Sequence, residues 1–372
     1  MEFGVRNNKT TNTMKHTTKI LTVTILAVTM FAGNVFAGNK DRSGQAGASE
    51  LLINPWARSS GWAGANIAGV RGLEGQFLNV AGTAFTKKTE LLFSRTNYMK
   101  GSDININSFG FAQKVGESGV LALGLMAMNF GDIEVTTTQM PEGGLGNYSI
   151  SFMNIGLSYA KGFTDHIFGG MCVRAINQAI PDAKAGGIAL DAGIQYVAGQ
   201  DNNVKFGISL KNVGPKMQFS GDGLSFRTLL DNGTSMTVDQ RSESFELPSQ
   251  VNIGGAYDYY IGGDTANKTH RVTFAGAFVS NSFTKDEFRI GLEYGFKSFL
   301  MLRAGYGYEK GIGNDDNTKE FYRTSAQKGF SAGFTIELPL SKEKGSTFGL
   351  DYSYRATQPF DGTHSIGIRM NL

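Results

Sequence analysis

The chain has 372 residues, 50 of them glycine, with 7 prolines and a single cysteine, which excludes a collagen-like repeat, a proline-rich disordered chain and a disulfide scaffold. Aromatic residues make up 11% and charged residues only 18%, a balance that suits closely spaced β structure with an apolar exterior. The net charge of +3 arises in residues 1–37, where Arg6, Lys9, Lys15 and Lys19 stand against Glu2 alone; the remainder is neutral and lacks the basic surface that phosphate-driven nucleic-acid binding requires.

Residues 1–37 read as a signal peptide with an upstream extension. Met1 to Thr13 shows no pattern; from Met14 the chain is basic at Lys15 and Lys19, then apolar from Ile20 to Phe31, and ends in small residues at Ala37. That order is the mark of a secretory signal, with cleavage expected after Ala37. The apolar stretch is too short to span a bilayer, which takes about 20 residues. No later window is long and apolar enough to do so, so an exported chain that sits in a membrane must do it as a closed barrel.

Residues 38–88 do not alternate as strands do. They hold both tryptophans, Trp56 and Trp62, and small-residue runs such as Ala63-Gly64-Ala65. A disordered tail would leave Leu51, Leu52, Ile53 and the tryptophans in water, which is costly. The segment is therefore expected to be a plug inside the barrel, carried by Trp56, Arg58, Trp62, Arg71, Glu74 and Asn79. Its charges are expected to pair with lumen residues such as Glu293, Arg303 and Asp351.

Residues 89–372 count out as strands. Segments of about ten residues alternate apolar with small or polar side chains between Gly, Asp, Asn and Ser clusters. Phe288, Ile290, Leu292, Tyr294 and Phe296 share one face, and Arg289, Gly291, Glu293, Gly295 and Lys297 the other. A soluble sandwich also alternates, but lone charges set among glycines fit a crowded wet lumen, and the large aromatic face fits lipid. The expected lumen residues are Asp191, Arg289, Glu293, Arg303, Asp351, Arg355 and Arg369. Expected strands lie near 89–97, 104–115, 119–130, 149–162, 166–177, 187–198, 203–213, 248–261, 270–280, 286–297, 299–308, 329–340, 346–356 and 363–372. The fold class is thus all-β, a 14-stranded antiparallel transmembrane barrel with an N-terminal plug. On this reading Leu292→Arg should impair assembly and Glu293→Gln should be tolerated.

Short connections at 116–118, 163–165, 199–202 and 298 alternate with long ones at 131–148, 214–247 and 309–328, with two departures, a short odd loop at 281–285 and an eight-residue turn after the eighth strand; this is the parity of periplasmic turns and external loops. The long loops carry Met140, Leu145, Tyr148, Met217, Phe219, Leu224, Phe226, Leu229 and Leu230, apolar side chains facing water that suggest a protein partner or a loop cap. Enzyme motifs are missing: His166, His270 and His364 stand apart near strand ends, and no nucleophile elbow, dinucleotide fingerprint or phosphate loop occurs. No catalytic residue, metal ligand or cofactor is expected. Asp315, Asp316, Asn317 and Glu320 cluster in a loop without the glycine and spacing of a calcium site. Cys172 is expected as a small apolar strand residue.

The run Ala48-Ser49-Glu50-Leu51-Leu52-Ile53-Asn54-Pro55-Trp56-Ala57-Arg58, followed by Gly61-Trp62-Ala63-Gly64-Ala65-Asn66 and Phe77-Leu78-Asn79-Val80-Ala81-Gly82, resembles the start of the PorV/PorQ family, a branch of the FadL-like barrels that serves the type IX secretion system. FadL-like proteins usually carry Asn-Pro-Ala before the first strand, where this chain reads Asn79-Val80-Ala81. The resemblance implies a non-enzymatic outer-membrane protein that binds a large translocon subunit or the C-terminal signal domains of secreted cargo through its external loops. The alternative that the general fold supports is a passive channel for small hydrophobic or aromatic molecules.

Overall fold

The computed structural model describes residues 42–199, 201–262, 269–316, 318, 322–323, 325–341 and 345–372. The expected signal peptide, its cleavage point, Asn317 and Glu320 lie outside the described residues. Among the described residues no helix is long and apolar enough to cross a membrane. Fourteen antiparallel strands form a closed barrel.

The strands, in chain order, are β1 (Thr89–Tyr98), β2 (Ile104–Val115), β3 (Gly119–Glu134), β4 (Asn147–Gly162), β5 (Ile167–Ile180), β6 (Ala183–Ala198) and β7 (Val204–Val213). A separate hairpin, β8 (Ser225–Leu229) and β9 (Ser235–Asp239), follows. The barrel resumes with β10 (Gln250–Ile261), β11 (His270–Asn281), β12 (Glu287–Phe296), β13 (Leu300–Glu309), β14 (Gln327–Ser341), β15 (Ser346–Thr357) and β16 (Thr363–Asn371). Each barrel strand pairs with its neighbours in sequence, β10 pairs with β7, and β1 closes the ring on β16 from Glu90↔Asn371 to Asn97↔His364.

Period-two alternation decides which way each strand faces. On β12, Phe288, Ile290, Leu292 and Tyr294 are exposed on the outer surface, while Glu293 between them is buried in the lumen. Aromatic and histidine side chains meet near the strand ends: His270 bonds the Tyr294 hydroxyl at 2.7 Å, and His364 bonds that of Tyr352 at 2.9 Å. These are the amphipathic girdles of a membrane barrel.

Two features differ from the sequence expectation. Strands β3 to β6 run further toward the long-loop side than the alternation indicated, to Glu134, from Asn147, to Ile180 and from Ala183. Their outward residues there are polar, including Asn129, Ser151, Asn177 and Lys184, all exposed. The ladder continues past the lipid-facing band, so the apolar alternation stops before the strand does. The loop 214–249 also contains the β8–β9 hairpin, whose five-residue strands are too short to register as a periodic segment.

At the top of β7 the register shifts between Leu190 and Ala192 of β6. Asn212 takes a left-handed conformation there (φ 58°), and its N–H donates to Asp191 Oδ1 at 2.7 Å. The upper part of β6 is then covered by the loop itself, through a reciprocal backbone pairing of Lys184 with Ser220.

Candidate functional site

Most of residues 47–86 are buried, and they pack against the inward faces of the strands. At the long-loop mouth Ala46 pairs with Glu246 of the β7–β10 loop, and Arg42 forms an ion pair with Glu246 at 3.0 Å. Short helical turns follow at Ser49–Leu52, Ala57–Ser60, Gly75–Leu78 and Val80–Phe85, and the chain then enters β1 at the short-turn end. Trp56, Val70, Leu73, Phe77 and Leu78 form one buried cluster with Leu92, Ala112, Val120 and Ala122 of the wall.

The wall admits this segment because glycines face it. A Cβ added at Gly305 would stand 2.3 Å from the Trp62 carbonyl carbon, and one at Gly207 would stand 2.9 Å from Ala68 Cα. Gly124 receives the Gln76 amide and Gly193 that of Asn79 in the same way. These lumen glycines are sites of close backbone approach, a more specific role than general strand packing.

Polar side chains then lock the segment to the strands. Gln76 Nε2 donates to the carbonyls of Gly156 (2.9 Å) and Ala122 (3.3 Å), and Asn79 Nδ2 donates to that of Ile194 (3.1 Å). From the wall, Gln195 donates to the Ile67 and Val70 carbonyls, both at 3.1 Å, and Gln178 donates to the Glu50 carboxylate at 2.9 and 3.0 Å. Burial pushes the carboxyl of Glu50 up, and that of Glu74 up to about 7. Gln76, Gln178, Gln195 and Glu50 were not singled out from the sequence. The usable signal was a lone amide at a small-residue inward position, as in Asp191-Ala192-Gly193-Ile194-Gln195.

The expected charge pairing is found in part. Glu293 is bonded to Arg303 and Arg271, with Arg58 Nη2 at 3.9 Å. Arg369 lies 3.5 Å from Glu337, 3.9 Å from Asp351 and 4.0 Å from Glu74, while Arg174 bonds Asp191 at 2.7 Å. Three expected members behave differently. Arg71 is exposed and stacks over the Phe85 ring at 4.6 Å, Arg289 pairs with Glu287 of its own strand at 2.9 Å, and Arg355 donates to Gln327. Trp62 is buried without an ion pair or amide of its own, held by shape against Gly291 and Gly305.

Above the lumen, the long loop divides into two layers. Met217 and Leu247 are buried with Ala48, Leu51 and Ile176, and Phe219 packs on the same cluster against Phe245, with ring centroids 5.7 Å apart. Met217 is therefore not an exposed loop residue: it anchors the loop to the lumen segment. Phe226 and Leu229 of the β8–β9 hairpin are 51% and 74% exposed, with Leu230 and Met236 beside them; Met140 and Leu145 on the β3–β4 loop are also exposed. Tyr148 and Leu224 are half-buried. In the acidic loop Asp315 pairs with Arg323 at 3.1 Å; no group of three or more potential ligands is placed to hold a metal among the described residues. A cavity of about 90 Å³ opens at the long-loop mouth, lined by Gly44, Ala46, Leu52, Pro248 and Phe283 among others, small beside the roughly 300–1,000 Å³ of a ligand pocket.

No family model matches the chain, and no curated protein matches it in sequence. Solved structures share its fold. The toluene transporter TodX of Pseudomonas putida is 13% identical, with a TM-score of 0.51 over 85% of this chain and 96% of that one. The toluene transporter TbuX of Ralstonia pickettii is 14% identical over the same shares, with a TM-score of 0.49, and a Pseudomonas aeruginosa FadL homologue is 10% identical, with a TM-score of 0.44 over 85% and 96%. The chain thus shares the fold of the TodX barrel, a closed ring of fourteen antiparallel strands.

Proposed function

We propose that this barrel is a non-enzymatic outer-membrane component of the type IX secretion system, which binds a translocon subunit or the C-terminal signal domains of secreted cargo. The observation that supports this reading is the β8–β9 hairpin, which holds Phe226, Leu229, Leu230 and Met236 in water above a lumen packed with the chain's own residues. An isolated two-stranded hairpin is marginal in water by itself, and this one exposes Phe226 and Met236 on one face and Leu229 on the other, apolar side chains that suit a protein partner. The PorV/PorQ-like run at Ala48–Arg58 points to the same system.

The channel reading rests on the fold shared with a toluene transporter and on the small cavity at the mouth. The test separates the two. Gly223 and Arg241 flank the hairpin, so residues Leu224 to Gln240 can be replaced by a short Gly-Ser linker outside the barrel ladder. With heat-modifiable gel migration showing a folded barrel, the variant should lose cargo secretion and capture of the translocon subunit from detergent extracts, and leave toluene entry unchanged. Intact secretion together with altered toluene entry would overturn the secretion reading in favour of the channel.

A further inference from the structure

Among the described residues, the apolar belt on the outer surface is interrupted at the β16–β1–β2 seam. Read across paired strands, one outward row runs Tyr352 (β15), Ile366 (β16), Arg95 (β1), Asn107 (β2), Ala127 (β3) and Met153 (β4). Arg95 and Asn107, directly paired, are polar in a row otherwise apolar or aromatic. Both are exposed, while Ser94, Thr96 and Ser108 beside them are buried on the lumen face, so the two side chains point outward. One row toward the periplasm, Phe93 and Phe109 are paired and exposed at 46% and 43%. One row toward the external side the residues are His364, Asn97, Asn105, Asn129 and Ser151. The result is a polar notch that dips into the lipid-facing belt at the β16–β1–β2 seam and opens outward.

The chemistry of the notch is specific. Asn129 Oδ1 accepts from Gly131 N at 2.7 Å and Asn105 Nδ2 donates to the Asp103 carbonyl at 3.2 Å, so those amides are partly engaged. Arg95 has neither an ion pair nor a hydrogen bond among the described residues. A guanidinium on the lipid face takes its counter-charge from what lies beside it, and its planar fork suits phosphate oxygens. The aromatic pair Phe93 and Phe109 directly below belongs to the apolar belt and suits acyl chains.

We propose that the notch binds the headgroup of an anionic, phosphate-bearing lipid of the external leaflet, with the phosphate on Arg95, the Asn107 amide beside it, and the chains along Phe93 and Phe109. Continuity with the lipid-facing belt and the uncompensated cation select a lipid over a protein as occupant. A basic side chain at a membrane surface contributes about 1 kcal/mol to binding an anionic lipid, roughly fivefold.

The purified full-length barrel, titrated in detergent with dioleoyl phosphatidic acid or dioleoyl phosphatidylcholine and read by native mass spectrometry, tests this. The wild type should retain phosphatidic acid in preference. Arg95→Gln should lower that retention roughly fivefold, Asn107→Leu, which completes the apolar row and leaves the cation, should lower it less, and Lys184→Gln, a cation outside the notch, should not change it. Equal retention by wild type, Arg95→Gln and Asn107→Leu would overturn the proposal, as would equal losses in Arg95→Gln and Lys184→Gln. Loss of protein partner capture in Arg95→Gln with lipid retention unchanged would also overturn it, and would assign the notch to a protein.

Discussion

Glu293 is 1% exposed and stands among three guanidinium groups, from Arg58 of the lumen segment and from Arg271 and Arg303 of the adjoining strands. Glu293 is the carboxylate that touches all three, and Arg303 among them is fully buried. A glutamine keeps the shape and hydrogen-bonding capacity but removes the charge, and breaking a buried pair from one side costs about 3–5 kcal/mol because the other charge stays behind. Glu293→Gln is therefore expected to be strongly destabilising, the reverse of the tolerance that the sequence alone suggested. The denaturant midpoint of the purified barrel should fall for Glu293→Gln and recover in part when Arg303→Met removes one of the cations; an unchanged midpoint would mean the cluster is solvated. Leu292, the next residue, is 43% exposed on the outer surface, so Leu292→Arg still faces lipid, with a cost of about 2–4 kcal/mol if it lies near the midplane.

At the scale of the strand, β13 shows what the inward glycines do. Gly305 faces the Trp62 backbone, and backbone cannot step aside as a flexible side chain can, so Gly305→Ala should cost about 1–3 kcal/mol as an overpacking change. Gly313→Ala, with nothing within 4 Å of the added methyl, should be neutral; equal denaturation midpoints for the two variants would show that the lumen segment yields. The strands were legible in the sequence because lipid outside and water or protein inside force a strict period of two. What lay beyond the lipid band was not legible: the outward face of β3–β6 turns polar above Asn129 and Asn177 while the ladder continues. The plug charges were half legible, since a charge at an inward position shows that it must be paired but not with what. Arg58 found Glu293, whereas Arg71 found the face of Phe85. The partner of Arg58 lies more than two hundred residues away in sequence, which no local pattern carries, and Arg71 turns instead to a ring only fourteen residues on.

At the scale of the molecule, the described chain starts at the long-loop mouth, which loop parity predicts to face outside, where Arg42 and Ala46 meet Glu246, and reaches the opposite end at Lys88 before β1 begins. Gly44 is exposed with open space around it, Lys88 is exposed at the other end, and the single cysteine, Cys172, is 1% exposed. Gly44→Cys should therefore react with a membrane-impermeant maleimide on intact cells, and Lys88→Cys should react only after the outer membrane is opened. Labelling of Lys88→Cys alone on intact cells would invert the orientation.

The same path constrains the order in which the molecule is made. The ring closes where β1 meets β16, residues nearly as far apart in the chain as the fold allows, and by then the lumen is occupied by Trp56, Trp62, Phe77 and their neighbours. Folded chains avoid threading bulky segments through closed loops. Residues 42–88 are then best understood as the spool on which the sheet is wound: strands laid successively around them each find a glycine, an amide or a counter-ion already in place, and the last turn seals the seam over a filled interior.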